Sequence, residues 1–352
     1  MSVSLHEKLP ILEVNNLKQY FPLKKESLFS PKQIVKAVDD ISFKLYPGET
    51  LSIVGESGCG KSATGRSILR LDKPTEGEIL FNGTSMESLN KKELRDVRGD
   101  IQVIFQDPYA SLNPRQTIRK MLEEAMTIQK VMPKDQMESR LLELISLVGL
   151  RPEYLERYPH EFSGGQRQRI GIARALCVNP KVIICDEAVS ALDVSIQAQI
   201  INLLKGMQRD FDLTFLFISH DLSVVRHISD RVIVMYLGTI VEIADKDSLF
   251  DSPSHPYTKA LLSAIPSIDE QGKKERIILK GDVPSPINPP TGCRFHTRCP
   301  FATDYCKTEV PPLKALSDTH QVACHYAKKF TQRRNNLIRL EQPAFDWGLL
   351  LL

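Results

Sequence analysis

The stretch GESGCGKS, residues 55–62, follows the apolar run LSIV at 51–54 and opens the helical pattern KSATGRSILRL at 61–71. Strand, glycine-rich turn, helix is the order in which G-x-x-x-x-G-K-[ST] holds a nucleotide's phosphates. Gly55, Gly58 and Gly60 allow backbone N–H groups to turn inward around phosphate oxygens, and the helix N-terminus adds partial positive charge. Lys61 is placed to neutralise the β- and γ-phosphates. Ser62 is the expected ligand of Mg²⁺, an ion that keeps several waters and takes few protein ligands. Ser57, Cys59 and Ala63 belong to the same nucleotide-binding loop, with Cys59 in a variable slot.

Outward from this loop, short runs rich in β-branched residues recur as TLSIVG (50–55), DIQVIFQD (100–107), KVIICDE (181–187), LTFLFISH (213–220) and RVIVMYLG (231–238). Each has the look of a buried strand. Helical patterns lie between them, for example SIQAQIINLLKGMQR at 195–209, and this alternation predicts a mainly parallel sheet covered on both faces. Phosphate chemistry belongs at the C-terminal ends of such strands. Several of those ends carry polar groups: Gln106 after IQVIF, Asp186 and Glu187 after VIIC, and His220 after LFIS. Asp186 is the expected Mg²⁺ partner, and Glu187 could polarise a water for attack on the γ-phosphate. Taken singly, each such residue is as readily a solvated strand end. Together with the phosphate loop they predict one shared site.

The chain's 352 residues, 42% hydrophobic and 25% charged, suit one large domain with an appendage. A formal net charge of +3 gives no electrostatic reason to expect nucleic acid, although KKFTQRR (328–334) forms a short basic patch. The start MSVSLHEKLPILEV lacks a basic segment followed by an apolar one, and no apolar run reaches the roughly 20 residues a membrane span needs. A cytosolic location follows, where disulfides are rare, so the seven cysteines are expected to be buried thiols or metal ligands. From about 110 to 162 the strand pattern stops; Leu141, Leu144, Ile145 and Val148 recur at helical spacing, which predicts a helical insertion. Beyond about 250, proline and glycine thicken and predict a separate, loop-rich appendage.

FSGGQRQR at 162–169 resembles the signature motif of ABC ATPases, and SALD at 190–193 resembles the D-loop that follows their second acidic motif. The resemblance runs over almost the whole chain. It implies an α/β fold, an ABC-type P-loop NTPase with a mainly parallel core sheet, an antiparallel β subdomain, a helical insertion and a loop-rich C-terminal appendage. It also implies that Gln106 senses the γ-phosphate and Mg²⁺, that Glu187 is the general base, and that His220 fixes the γ-phosphate and the attacking water. Ser163, Gly164, Gly165 and Gln166 would serve an ATP held on the partner's phosphate loop, Ser163 capping the helix while the glycines admit close backbone approach. Phe21 in NNLKQYFPLKK is the expected adenine-stacking aromatic, with Tyr20 the runner-up. Phe162 and Ala63 depart from residues common in the family without removing a needed group.

SPSHPYTKALLSAIP (252–266) and GDVPSPINPPTGCRFHTRCP (281–300) resemble the extension of oligopeptide/dipeptide importer ATPases, the Opp or Dpp F type. Expected divisions are an ATPase domain over 1–250 with its helical subdomain at about 110–165, the extension over 251–330, and a tail over 331–352. The resemblance implies a peripheral subunit on the cytoplasmic face of a bacterial membrane. Its partners would be a second, homologous ATPase in a heterodimer, two transmembrane permease subunits and, indirectly, an extracytoplasmic peptide-binding protein. Cargo such as nickel or heme, or a soluble ABC ATPase outside transport, are the alternatives.

Cys293, Cys299, Cys306 and Cys324 lie in this extension at spacings x5, x6 and x17. Four thiolates suit zinc or an iron–sulfur cluster, and the spacing lacks the C-x2-C pairs of common zinc sites. The family resemblance implies a 4Fe-4S cluster; zinc and free thiols remain open, and His296 or His325 could replace one ligand. Cys177 and Cys185 fall in apolar patterns and read as packing.

Overall fold

The computed structural model describes residues 9–23, 33–265 and 276–331. The strands predicted from apolar runs are met by five parallel strands that make up one side of an eight-stranded sheet. These are β3 (Thr50–Val54), β6 (Ile101–Ile104), β7 (Val182–Asp186), β8 (Thr214–Ile218) and β9 (Arg231–Tyr236). The remaining strands are β1 (Leu12–Pro22), β2 (Ile34–Leu45), β4 (Glu76–Phe81), β5 (Thr84–Ser85), β10 (Thr239–Asp245), β11 (Lys314–Ser317) and β12 (His320–Val322). Order in the large sheet is β11-β12-β10-β9-β3-β8-β7-β6, and a second, four-stranded antiparallel sheet runs β2-β1-β4-β5.

Side chains alternate along the parallel strands, and this divides the core in two. Leu51, Ile53, Ile184, Leu216, Ile218 and Ile233 face the antiparallel sheet, packing with Leu12, Val14, Phe43 and Ile79. Ile183, Cys185, Phe215, Phe217, Val232 and Val234 face the other way, toward the helical insertion and the extension. The insertion contains helices Ile118–Gln129 and Lys134–Leu147, the first capped by Thr117. Leu141, Leu144, Ile145 and Val148 are fully buried in it, as their spacing predicts. Helix Val194–Phe211 covers the segment read as helical at 195–209.

The extension is loop-rich as expected, yet it is not separate. β12 pairs with β10, and β11 with β12, so the chain beyond 250 continues the ATPase sheet as an antiparallel edge. The physical reason is an unpaired strand edge: β10 would otherwise expose its backbone groups. Glu242 on β10, fully buried, fastens the join by accepting hydrogen bonds from the N–H groups of Ser254 (2.6 Å) and His255 (3.0 Å), and lies 2.7 Å from His320 Nε2 on β12. Helix Pro256–Ser263 takes its proline at the first turn and is capped by the His255 ring. The tail beyond 331, with FDWGLLLL, lies outside the described residues.

Candidate functional site

The phosphate loop leaves β3 and turns into helix Lys61–Ile68. Gly55 and Gly60 are required by space as well as by conformation: at φ 153° and 105°, an added Cβ would stand 2.2 Å from the carbonyl oxygens of Met235 and Ala37 respectively. The loop is thus clamped between the β9–β10 turn and β2, with Gly238 N–H donating to the Cys59 carbonyl at 3.0 Å. Cys59 is buried there as packing, while Ser57 and Gly58 are exposed. Lys61 is buried and donates from Nζ to the carbonyls of Gly55 (2.9 Å) and Glu56 (3.2 Å).

The acidic pair ends β7. Ser62 Oγ donates to Asp186 Oδ1 at 2.7 Å, so the two expected Mg²⁺ ligands already touch. Burial raises the Asp186 carboxyl above its ordinary range, Ser62 pulls it back, and the neighbouring Glu187 charge raises it again. Such a carboxylate gains from a cation beside it. Glu187 adopts a left-handed backbone at φ 49°, with its N–H bonded to the Ile218 carbonyl of β8. That turn separates the two side chains: Glu187 Oε2 lies 3.4 Å from His220 Nδ1, and Oε1 lies 4.0 Å from Lys61 Nζ. His220 is exposed just beyond the end of β8, and Gln106 is exposed two residues beyond the end of β6. Lys61, Ser62, Asp186, Glu187 and His220 are therefore joined by contact; Gln106 makes no such contact among the described residues.

The signature opens helix Gly164–Leu176 with a reciprocal cap: Gln166 N–H donates to Ser163 Oγ (3.4 Å) and Ser163 N–H to Gln166 Oε1 (3.0 Å). A Cβ on Gly165 would meet Ile196 Cγ2 at 2.7 Å, which puts the signature against the segment after the SALD turn. Phe162 is buried edge-on to Tyr154, so this departure from the family fills the helical subdomain. Ser163 and Gly164 are exposed, and no hydrogen bond or ion pair joins Ser163–Gln166 to Gly55–Ser62 among the described residues.

The two aromatic candidates point to opposite faces of β1. Tyr20 is engaged: its hydroxyl donates to Asp39, which pairs with Arg294 of the extension. Phe21 is half-buried beside Val35 of β2 and carries no such partner among the described residues.

Cys293, Cys299, Cys306 and Cys324 line one small cavity with Phe295, Phe301 and Pro256. His296 and His325 are also at its wall. Burial, joined by repulsion among the four sulfurs, pushes the Cys293 thiol up to about 11; Cys324 is likewise at about 11. No group of three or more His, Cys, Asp or Glu is arranged to hold a metal ion among the described residues. Cys177 and Cys185 are fully buried packing residues.

Glu56, Tyr257, Arg294 and Arg298 are absent from the residues read out of sequence. The extension reaches the phosphate loop through them: Arg298 pairs with both oxygens of Glu56, and the Glu56 N–H donates to Tyr257 Oη at 2.9 Å. The available signal was two arginines standing beside two cysteines in CRFHTRC.

A phosphate loop before a helix, an acidic pair closing a parallel strand, and a separate capped signature helix define a P-loop ATPase of the ATP-binding-cassette class. Residues 38–190 match the ABC transporter family, and residues 241–306 match the oligopeptide/dipeptide transporter C-terminal region. The chain is 57% identical to the oligopeptide transport ATP-binding protein AppF of Bacillus subtilis, over 90% of this chain and 97% of that protein. It is 51% identical to OppF of Haemophilus influenzae, over 92% and 99%. Among solved structures, the ATP-binding cassette MJ0796 bound to ADP and Pi in a dimer is 29% identical with a TM-score of 0.59, covering 67% of this chain and 98% of its own. This chain belongs to the ABC transporter family, in the branch of the oligopeptide/dipeptide transport ATP-binding proteins.

Proposed function

We propose that this chain is the ATP-hydrolysing subunit of an ABC importer for oligopeptides or dipeptides. The observation that carries the reading is the union in one fold of the Lys61–Asp186–Glu187–His220 cluster and an extension that matches the oligopeptide/dipeptide transporter C-terminal region. Lys61, now spanning two loop carbonyls, exchanges them for phosphate oxygens when ATP enters. Glu187 accepts a proton from the attacking water, and His220, 3.4 Å from it, holds that water and the γ-phosphate. Ser62 and Asp186 would hold Mg²⁺, whose positive charge would offset the negative charge of the phosphates, with Gln106 as the further group that would sense it.

The exposed signature is read as one half of a composite site. Ser163, Gly164, Gly165 and Gln166 face the ATP on the phosphate loop of a second, homologous ATPase, and closure of the pair drives two membrane permease subunits fed by an external peptide-binding protein. No helix among the described residues is long and apolar enough to cross a membrane, so attachment to the membrane would run through those permeases. Phe21 is the adenine-stacking residue, because Tyr20 is occupied by Asp39.

The four-cysteine cavity is read as a 4Fe-4S site. Four thiols converging on one cavity offer the four ligands a cluster takes; bound there, it would store electrons or cross-link a loop-rich segment.

The test is ATP hydrolysis and peptide uptake in vesicles containing the permeases and both ATPases. Peptide-dependent hydrolysis that disappears with Lys61→Ala, together with ATP binding, supports the reading. Hydrolysis without uptake of any peptide, or ATP affinity unchanged by Lys61→Ala, sinks it.

A further inference from the structure

The segment Cys293–Cys299 carries an arginine beside each of its end cysteines, and both arginines leave the cavity to reach the nucleotide side. Arg298 Nη1 and Nη2 donate to Glu56 Oε2 (2.7 Å) and Oε1 (3.2 Å), a two-pronged pair with the arginine only 9% exposed. Arg294 donates to the Leu237 carbonyl in the β9–β10 turn and pairs with Asp39 on β2. Both segments border the phosphate loop: Gly238 N–H of that turn donates to the Cys59 carbonyl at 3.0 Å, and β2's Ala37 carbonyl blocks a Cβ at Gly60, while the Met235 carbonyl near the end of β9 blocks one at Gly55. Tyr257 completes the grip by accepting from the Glu56 N–H at 2.9 Å, its ring packed at 5.4 Å on Phe295 between the two arginines.

We propose that the Cys293–Cys299 loop is a positioning element for the nucleotide site, setting the phosphate loop through Arg298 on Glu56 and its walls through Arg294. The inference rests on reading Gly55–Ser62 as the ATP phosphate cradle. Arg298 is a positioning residue: it acts through Glu56, whose carbonyl is one of the two that hold Lys61 Nζ. A planar, two-pronged pair fixes orientation as well as distance, which a lysine's point charge cannot do. Because Arg294 and Arg298 are chain neighbours of Cys293 and Cys299, whatever sets the spacing of those cysteines is coupled to the loop's readiness for ATP, and by linkage ATP is coupled back to it.

The experiment measures affinity for a fluorescent ATP analogue, and KM and kcat for ATP, on the full chain. Variants are Arg298→Gln, Arg298→Lys, Glu56→Gln, the double Arg298→Gln/Glu56→Gln, and the exchange Arg298→Glu/Glu56→Arg, with Lys61→Ala as control. Each single variant, Arg298→Lys included, is expected to weaken nucleotide binding and raise KM by about 5-fold or more, in the range of typical coupling between sites. The double is expected to be no worse than either single, since both break the same pair. Restored affinity in the exchanged pair would be the result a merely structural arginine does not produce. Arg298→Lys guards against failure of the glutamine variant to fold. Singles within about two-fold of the wild type while Lys61→Ala loses ATP would overturn this inference alone, as would losses that add in the double. ATP affinity retained by Lys61→Ala would overturn the cradle and the inference with it.

Discussion

Glu187 holds a left-handed backbone at φ 49°, a conformation that costs a non-glycine residue roughly 1–2 kcal/mol. The cost is met by what the turn achieves. It bends the chain out of β7 so that Asp186 stays on Ser62 while Glu187 swings between Lys61 and His220. Two adjacent acids thereby take separate tasks, as their position at a strand end predicts. Removing only the proton-accepting ability tests this: Glu187→Gln is expected to keep ATP affinity and lower turnover by about 10²-fold or more, the range of a lost general base. Single-turnover hydrolysis and nucleotide binding measure both numbers, and turnover near the wild-type rate would assign the base elsewhere. Lys61→Ala should fail at the earlier step, losing binding itself.

Strand β3 enters the sheet at a buried carboxylate, and this decides how firmly the phosphate loop is anchored. Glu49, 1% exposed, accepts from Tyr46 N–H at 2.7 Å and pairs with Arg231 Nη1 of β9 at 3.1 Å. Burial raises its carboxyl above the ordinary range in spite of Arg231. Arg231→Met leaves that charge buried without its cation and is expected to cost about 3–5 kcal/mol at neutral pH. The sign of its pH dependence follows. With the folded-state pKa raised further, the folded protein binds the proton more readily than the unfolded chain, so stability is greater at low pH and is lost as pH rises through that value. The variant's deficit in Tm should therefore shrink between pH 7.5 and pH 5, against a wild-type control. A deficit that is constant or grows toward acid would show that packing, not charge, is what Arg231 supplies.

The same scale explains the extension's join. Glu242 on β10 binds Ser254, His255 and His320, and so ties the helix Pro256–Ser263 and the strand β12 to one buried carboxylate. Glu242→Ala would strand all three partners, and a loss of about 3 kcal/mol or more, read by denaturant unfolding, is expected for breaking such a buried group. Unfolding within about 1 kcal/mol of the wild type would mean that the strand pairing alone holds the extension.

At the scale of the whole molecule, the extension is the part whose chemistry differs from the bare cassette, and its four cysteines give the plainest measurement. Protein purified without oxygen is expected to show broad visible absorption and about four irons per chain, both lost in Cys299→Ser. Stoichiometric zinc would replace the cluster with a metal of another kind, and colourless, metal-free protein would make the cavity a set of buried thiols. Each outcome leaves the ATPase site standing, because Lys61, Asp186, Glu187 and His220 touch none of the four cysteines.

Much of this was legible in the amino-acid order. The phosphate loop, the strand-end acids, the signature and the helical insertion are local: each is a short pattern whose function follows from backbone geometry within a few residues, so GESGCGKS, VIICDE and FSGGQRQR could be read where they stand. The five parallel strands were legible for the same reason, since strands buried on both faces are written as unbroken apolar runs. The antiparallel edge was not. β12 is three residues long, two of them polar, and it exists because β10 offers a free edge, a fact no local window contains. The grip of Arg298 on Glu56 spans 242 positions of chain. Sequence by itself determined the ATPase and its chemical groups, because those depend on neighbours along the chain. Only the tertiary structure decided that the cysteine-bearing loop rests on the phosphate loop, because charge pairs between distant segments are selected by the packing of the whole sheet.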